Sequence, residues 1–252
     1  MDIYDSHYYI SPSRRYLTLA GACLLAILLI WGPLDTIWPL SLAAIGMDMM
    51  CTFFHEIGHS VFSWLFGYPS LPSFDFQHGG GMEYHLDRVP FFEWGLMGAA
   101  AYGVWFIARL HMGFGIAAGV LFLLYAAAMF SEFHNVIVLF MGNGAEIAIG
   151  SFILARVIFD AVPPRPAELE VHALAGWYLL LDPIRLSWGL IFDPEAREIY
   201  WTQKGSEGFG DFSRIADYFG FANEVPVAWF CILMAVCGLA APFVLKWRRA
   251  SL

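Results

Sequence analysis

The stretch Phe53-Phe54-His55-Glu56-Ile57-Gly58-His59-Ser60 places three ionisable side chains inside an apolar run that extends from about Trp38 to Phe66. His55 and His59 are four residues apart, so on a helix they project from one face, with Glu56 beside them. This is the HExxH pattern. Two neutral imidazoles bind zinc, and the glutamate takes a proton from the attacking water. Zinc lowers the pKa of water towards about 7, so the nucleophile exists near neutrality. Ionisable groups within an apolar helix are costly and mark function. Asp48 and Thr52 fall on the same face as His55 and His59. Asp48 reads either as an acceptor behind a ligating imidazole, as a hydrogen-bond partner lower in a bundle, or as an interfacial aspartate.

The surroundings of this stretch set the class of protein. Of 252 residues, 59% are apolar and only 14% are charged, against about 25% charged in an ordinary soluble domain. Mean hydropathy is +0.61. Thirteen Lys and Arg face twenty-two Asp and Glu, for a net charge of −9. Disorder needs low hydrophobicity, and a nucleic-acid partner needs a basic face; Lys occurs only at Lys204 and Lys246. Cys23, Cys51, Cys231 and Cys237 lie in apolar runs without a CxxC pair, which argues against a disulfide framework or a thiolate zinc site and for small buried hydrophobes. The composition predicts an all-α polytopic membrane protein, a single integral membrane domain over residues 1–252.

A crossing helix needs about 20 mostly apolar residues. Tyr16–Leu34 is the first such segment, ended by Trp31, Pro33, Trp38 and Pro39. Trp38–Phe66 carries the HExxH pattern. Phe92–Leu110 and Met112–Phe130 follow, joined by a very short turn. Asn135–Phe159 comes next, ended by Pro163, Pro164 and Pro166, and Val225–Leu245 is the last. Leu169–Phe192 is a weaker seventh segment, which Asp182-Pro183 is expected to break. Arg14-Arg15 and Lys246–Arg249 place both termini in the cytoplasm. That requires an even number of crossings, so the seventh segment is expected to be re-entrant, half-length or buried within a bundle of about six. Residues 68–90 read as a polar, glycine-rich loop, and 193–224 as an acidic extramembrane loop.

An HExGH pattern in an early membrane helix, followed by a glycine-rich polar stretch, resembles the site-2 protease family of intramembrane zinc proteases. The likeness is greatest to its small bacterial branch without a PDZ domain, and it covers roughly Asp48 to Ser151. The resemblance implies a bacterial inner membrane and Zn2+ as cofactor. It also implies a membrane-associated β-hairpin over Phe74–His85, whose edge strand holds an extended substrate. The alternation of Phe74 and Phe76 with Asp75 and Gln77 suits a short strand. A plain surface loop is the other reading of these residues.

The family takes its third zinc ligand from an Asp in N-x-x-P-x-x-x-L-D-G. The counterpart here runs from Asn135 to Gly144, with Val138 in place of the Pro and Asn143 in place of the Asp. A neutral amide is a poorer zinc ligand than a carboxylate. Glu146, three residues further on nearly the same helical face, is the expected third ligand. The alternatives for Glu146 are a protonated carboxyl or an ion pair with Arg156 or Arg109. Asn143 or Asn135 is expected to hydrogen-bond the substrate backbone or oxyanion, and His85 to contact substrate. Asp182 reads as a helix cap or a partner of Arg185, and His134 as an interfacial pair with Glu132. Two functions compete. One is an intramembrane zinc endopeptidase cutting transmembrane or membrane-proximal segments of protein substrates. The other is an inactive, protease-like membrane subunit that assembles partner helices. A transporter with a buried metal site is a weaker third, lacking repeats or matched broken helices.

Overall fold

In the computed structural model the chain is described over residues 11–75, 80–159, 161, 165–202 and 210–250. Phe76–Gly79 of the expected hairpin, and Pro163 and Pro164 of the expected helix stop, lie outside the described residues. Among the described residues there are nine α-helices, and the chain divides into two units: one up to Phe54 and from Asn143 on, the other His55–Gly142.

In the first unit, α1 (Pro12–Ile30) starts four residues earlier than the apolar run predicts. The Ser11 side chain accepts from the Arg14 amide, and Pro12 supplies a preset first turn. After a short 3-10 turn at Pro33–Thr36, α2 (Leu40–Leu65) begins in this unit. The later part of α5 (Phe133–Ile158), then α6 (Pro166–Phe192), α7 (Pro194–Tyr200), α8 (Asp211–Phe219) and α9 (Val225–Ala250) complete it. Ala26, Leu29, Ile30, Ala44, Cys51, Tyr178 and Leu179 form its core. α6 packs against α1 and α9. α5 and α6 approach closely, because neither Gly150 nor Gly176 carries a side chain: a methyl at Gly150 would sit 2.9 Å from the Gly176 carbonyl.

Two expectations are corrected here. The seventh segment is not broken at Asp182-Pro183. Pro183 sits fully buried inside a continuous 27-residue helix. A proline there costs about 3 kcal/mol, and burial of the helix against α1 and α9 offsets it. The segment is a full-length helix that packs against α1 and α9. Nor is 193–224 a plain acidic loop. Asp193 caps α7 by accepting from the Glu195 amide at 2.9 Å. α8 buries Phe212, Ile215 and Ala216, ends at left-handed Gly220, and is tied by Ser213 donating to Glu224 at 2.7 Å. Two short polar helices carry no long apolar run, so the sequence hid them.

The second unit holds the end of α2, the hairpin β1 (Ser70–Asp75) and β2 (Gly80–His85), then α3 (Pro90–Leu110), α4 (Met112–Met129) and the start of α5. Gly67 takes a positive φ of 87°, which turns the chain out of α2 into the hairpin. The strands pair antiparallel, with Ser70 opposite His85 and Phe74 opposite Gly81. The hairpin reading of the glycine-rich stretch therefore holds, with β1 starting four residues before Phe74. α3 and α4 pack together across the extended residue His111. Phe66, Ala128 and Met129 form the core, flanked by Phe62, Tyr68, Ile137 and Val138.

Among the described residues, six helices are long and apolar enough to cross a membrane: α1, α2, α3, α4, α5 and α9. α6, with Glu168, Glu170, Asp182 and Arg185, is not among them.

Candidate metal centre

α2 carries His55, Glu56 and His59 on consecutive turns within the second unit. The two imidazole centroids are 4.7 Å apart, with their planes at 80°. Glu56 and His59 are 6% and 7% exposed. The Nδ1 of His59 lies 2.8 Å from the carbonyl oxygen of Val138 on α5. A carbonyl only accepts, so Nδ1 carries a proton, and in the neutral ring Nε2 is the nitrogen left free for a metal. This is the arrangement in which a ligating histidine has its ring fixed from behind.

The Nε2 atoms of His55 and His59 converge on the backbone of Gly142. A methyl group added there would lie 2.5 Å from both nitrogens. The space between the imidazoles is open because residue 142 has no side chain, and a zinc ion at about 2.0–2.1 Å from each nitrogen needs that space. The donor set and this cradle fit a metal held by two histidines.

Glu56 is covered by the hairpin. A methyl at Gly81 of β2 would lie 2.5 Å from Oε1 and 2.6 Å from Cδ of Glu56. Only a glycine lets the strand rest on the carboxylate. Beside it, Tyr68 stacks on His134, and its hydroxyl donates to Nε2 of that ring at 3.0 Å. The Nδ1 of His134 donates to the Ser131 carbonyl. His134 is thus a buried packing partner of Tyr68; Glu132 instead accepts from Asn135 at 2.8 Å. The expected His134–Glu132 pair is corrected, because Tyr68 offers both a ring face and a donor.

The remaining site candidates fall as follows. Asn135 is exposed and bonded to Glu132. His85 is exposed at the end of β2 and meets the Tyr68 ring edge-on. Asn143 is 2% exposed, and its Nδ2 has no hydrogen-bond partner among the described residues. Glu146, 2% exposed, has ligand-type company in the first unit: one such atom each of Cys51, Glu146 and Asp182 lies within 4.8 Å of the others. Asp182 also accepts from Arg185 at 2.6 Å, as its spacing predicts. Asp48 accepts from the Tyr178 hydroxyl at 2.8 Å and lies 3.7 Å from Arg185, so its partners are those lower in the bundle.

Sequence reading missed the Val138 carbonyl, the Gly142 cradle and the Gly81 contact. The first is main chain and carries no side-chain signal. The other two act through a missing side chain, and their only trace is that both are glycines near the motif. No family model, curated protein or solved structure matches this chain.

Proposed function

We propose that the chain is an intramembrane zinc endopeptidase. The observation that carries the reading is the convergence of two imidazole Nε2 atoms, one of them with its tautomer set by a backbone carbonyl, on the bare backbone of Gly142. When bound, zinc would polarise the scissile carbonyl and acidify water. His55 and His59 would hold it. Glu56, adjacent on the same helix and shielded by Gly81, would accept the proton of the attacking water and pass it to the leaving amine. Burial of Glu56 keeps bulk water from competing for that proton.

The six apolar helices support insertion in a bilayer, and the Arg14-Arg15 and Lys246–Arg249 ends support cytoplasmic termini. After two crossings the hairpin then emerges on the cytoplasmic side. Substrates would be transmembrane or membrane-proximal segments, unwound far enough to present a peptide bond.

The test compares wild type with Glu56→Gln for membrane proteins that accumulate only in the variant, together with zinc content. Wild type is expected to hold one zinc per chain and to process substrates that Glu56→Gln leaves intact. Equal processing by both chains ends the protease reading. Zinc that persists in the His55→Ala, His59→Ala double variant ends the metal assignment. Bound zinc without processing would favour the partner-assembling subunit, a reading supported by Asn143 standing where the family has Asp.

A further inference from the structure

The hairpin has two chemically different faces. Leu71 and Tyr84 are 72% and 65% exposed and Ser73 is exposed, whereas their neighbours Ser70, Pro72, Phe74 and Glu83 are buried or half-buried. Side chains alternate along a strand, and cross-strand partners share a face. Gly81 points at Glu56, so Glu83, two residues along β2 and opposite Pro72, projects on the same side of the sheet. Two strand residues span about 7 Å. Glu83 therefore stands one short step from the candidate base.

Oε1 of Glu83 is buried and has no hydrogen-bond partner among the described residues; the same is true of the Ser70 hydroxyl on that face. The stretch His55–Gly142 contains two cations, Arg88 and Arg109. Arg88 is engaged by Glu93 at 3.2 Å and by the Met129 carbonyl at 2.6 Å. Arg109 stacks over Trp105. Neither is bonded to Glu83. A buried carboxylate oxygen without a donor costs free energy that an incoming cation or N–H recovers.

We infer that Glu83 is a specificity residue that recognises a Lys or Arg side chain of the substrate, within about two residues of the scissile bond. The inference rests on the protease reading and names its substrate class: peptide segments with a basic flank. Such flanks mark the cytoplasmic ends of transmembrane segments, the side on which the proposed topology puts the hairpin.

The experiment uses the full zinc-loaded chain in detergent. The probes are synthetic peptides of one apolar transmembrane-type sequence, each with a single Lys, Gln or Glu moved stepwise along its flank. Binding is read by fluorescence anisotropy on the Glu56→Gln chain, and cleavage by mass spectrometry on the chain with Glu56 intact. Lys peptides are expected to bind about tenfold more tightly than Gln peptides in one register only. Glu83→Gln should flatten that difference, and Glu83→Lys should reverse it in favour of Glu peptides, an exchange that a merely structural role would not produce. Equal binding of Lys and Gln peptides, or a Lys preference that survives Glu83→Gln, overturns the inference even if cleavage proceeds. A Glu83-dependent Lys preference without cleavage supports the inference and counts against proteolysis.

Discussion

The carbonyl oxygen of Val138 stands 2.8 Å from Nδ1 of His59. Val138 thus contributes through its backbone. A side-chain change at 138 that keeps the helix leaves this acceptor in place. A hydrogen bond behind a ligand is typically worth 10–100-fold in metal affinity, so the contact fixes how well His59 presents its other nitrogen.

Gly142→Ala should remove metal binding while leaving the helix intact, since alanine is the better helix former by about 1 kcal/mol. The added methyl falls 2.5 Å from both Nε2 atoms. Zinc analysis of the purified variant should give near-zero occupancy with unchanged helical circular dichroism. Full zinc occupancy would show that the metal lies elsewhere.

Gly81→Ala should have the opposite profile. The three atoms nearest its methyl all belong to the Glu56 side chain. Zinc content should stay at the wild-type level while the cleavage rate falls on the order of a hundredfold, the cost of a reacting group displaced by about 1 Å. An unchanged rate would mean that β2 does not rest on the working base.

Asp48→Asn should not touch the metal. Asp48 is held by Tyr178 and Arg185, and no imidazole is among those partners. Zinc affinity should stay within about twofold of wild type, far from the 10–100-fold loss of a ligand-orienting residue. Tyr178→Phe removes the hydroxyl that donates to Asp48 and should lower unfolding free energy by about 1 kcal/mol, read as a thermal midpoint in detergent.

Tyr200 predicts a pH effect at the base of α8. Burial, and then the charge of Asp211, raise its phenol above the ordinary range, while its oxygen accepts the Phe212 amide at 3.2 Å. A folded pKa above the unfolded value of about 10 means a contribution complete below that pH and lost as pH rises further. Thermal midpoints should therefore decline above about pH 10, and Tyr200→Phe should flatten the decline. An identical slope in the variant would remove Tyr200 from the alkaline transition.

How much of this was legible in the sequence follows from what kind of signal each part leaves. The HExxH helix, the six apolar helices and the hairpin have periodic side-chain patterns, and those patterns survive in a string of letters. At Pro183 in α6 the local breaker signal misleads, because packing of the helix against α1 and α9 overrides it. α7 and α8 were hidden because seven and nine polar-rich residues fall below any hydropathy window. At the candidate site, the ionisable side chains were readable and the groups packed behind them were not. His55, Glu56 and His59 announce themselves by residue type, while Val138 acts through its carbonyl and Gly142 through the side chain it lacks.

The second unit is one unbroken stretch whose first residue, His55, and last residue, Gly142, meet at the imidazole. The stretch is therefore a closed loop. A metal at that junction would act as a clasp at its neck, restraining the hairpin and two apolar helices with a single point of coordination. Closing a long loop carries an entropic cost that rises only slowly with length. The clasp would thus hold the whole loop nearly as economically as a short one, and metal loss would loosen the neck before it disturbed the core around Phe66 and Met129.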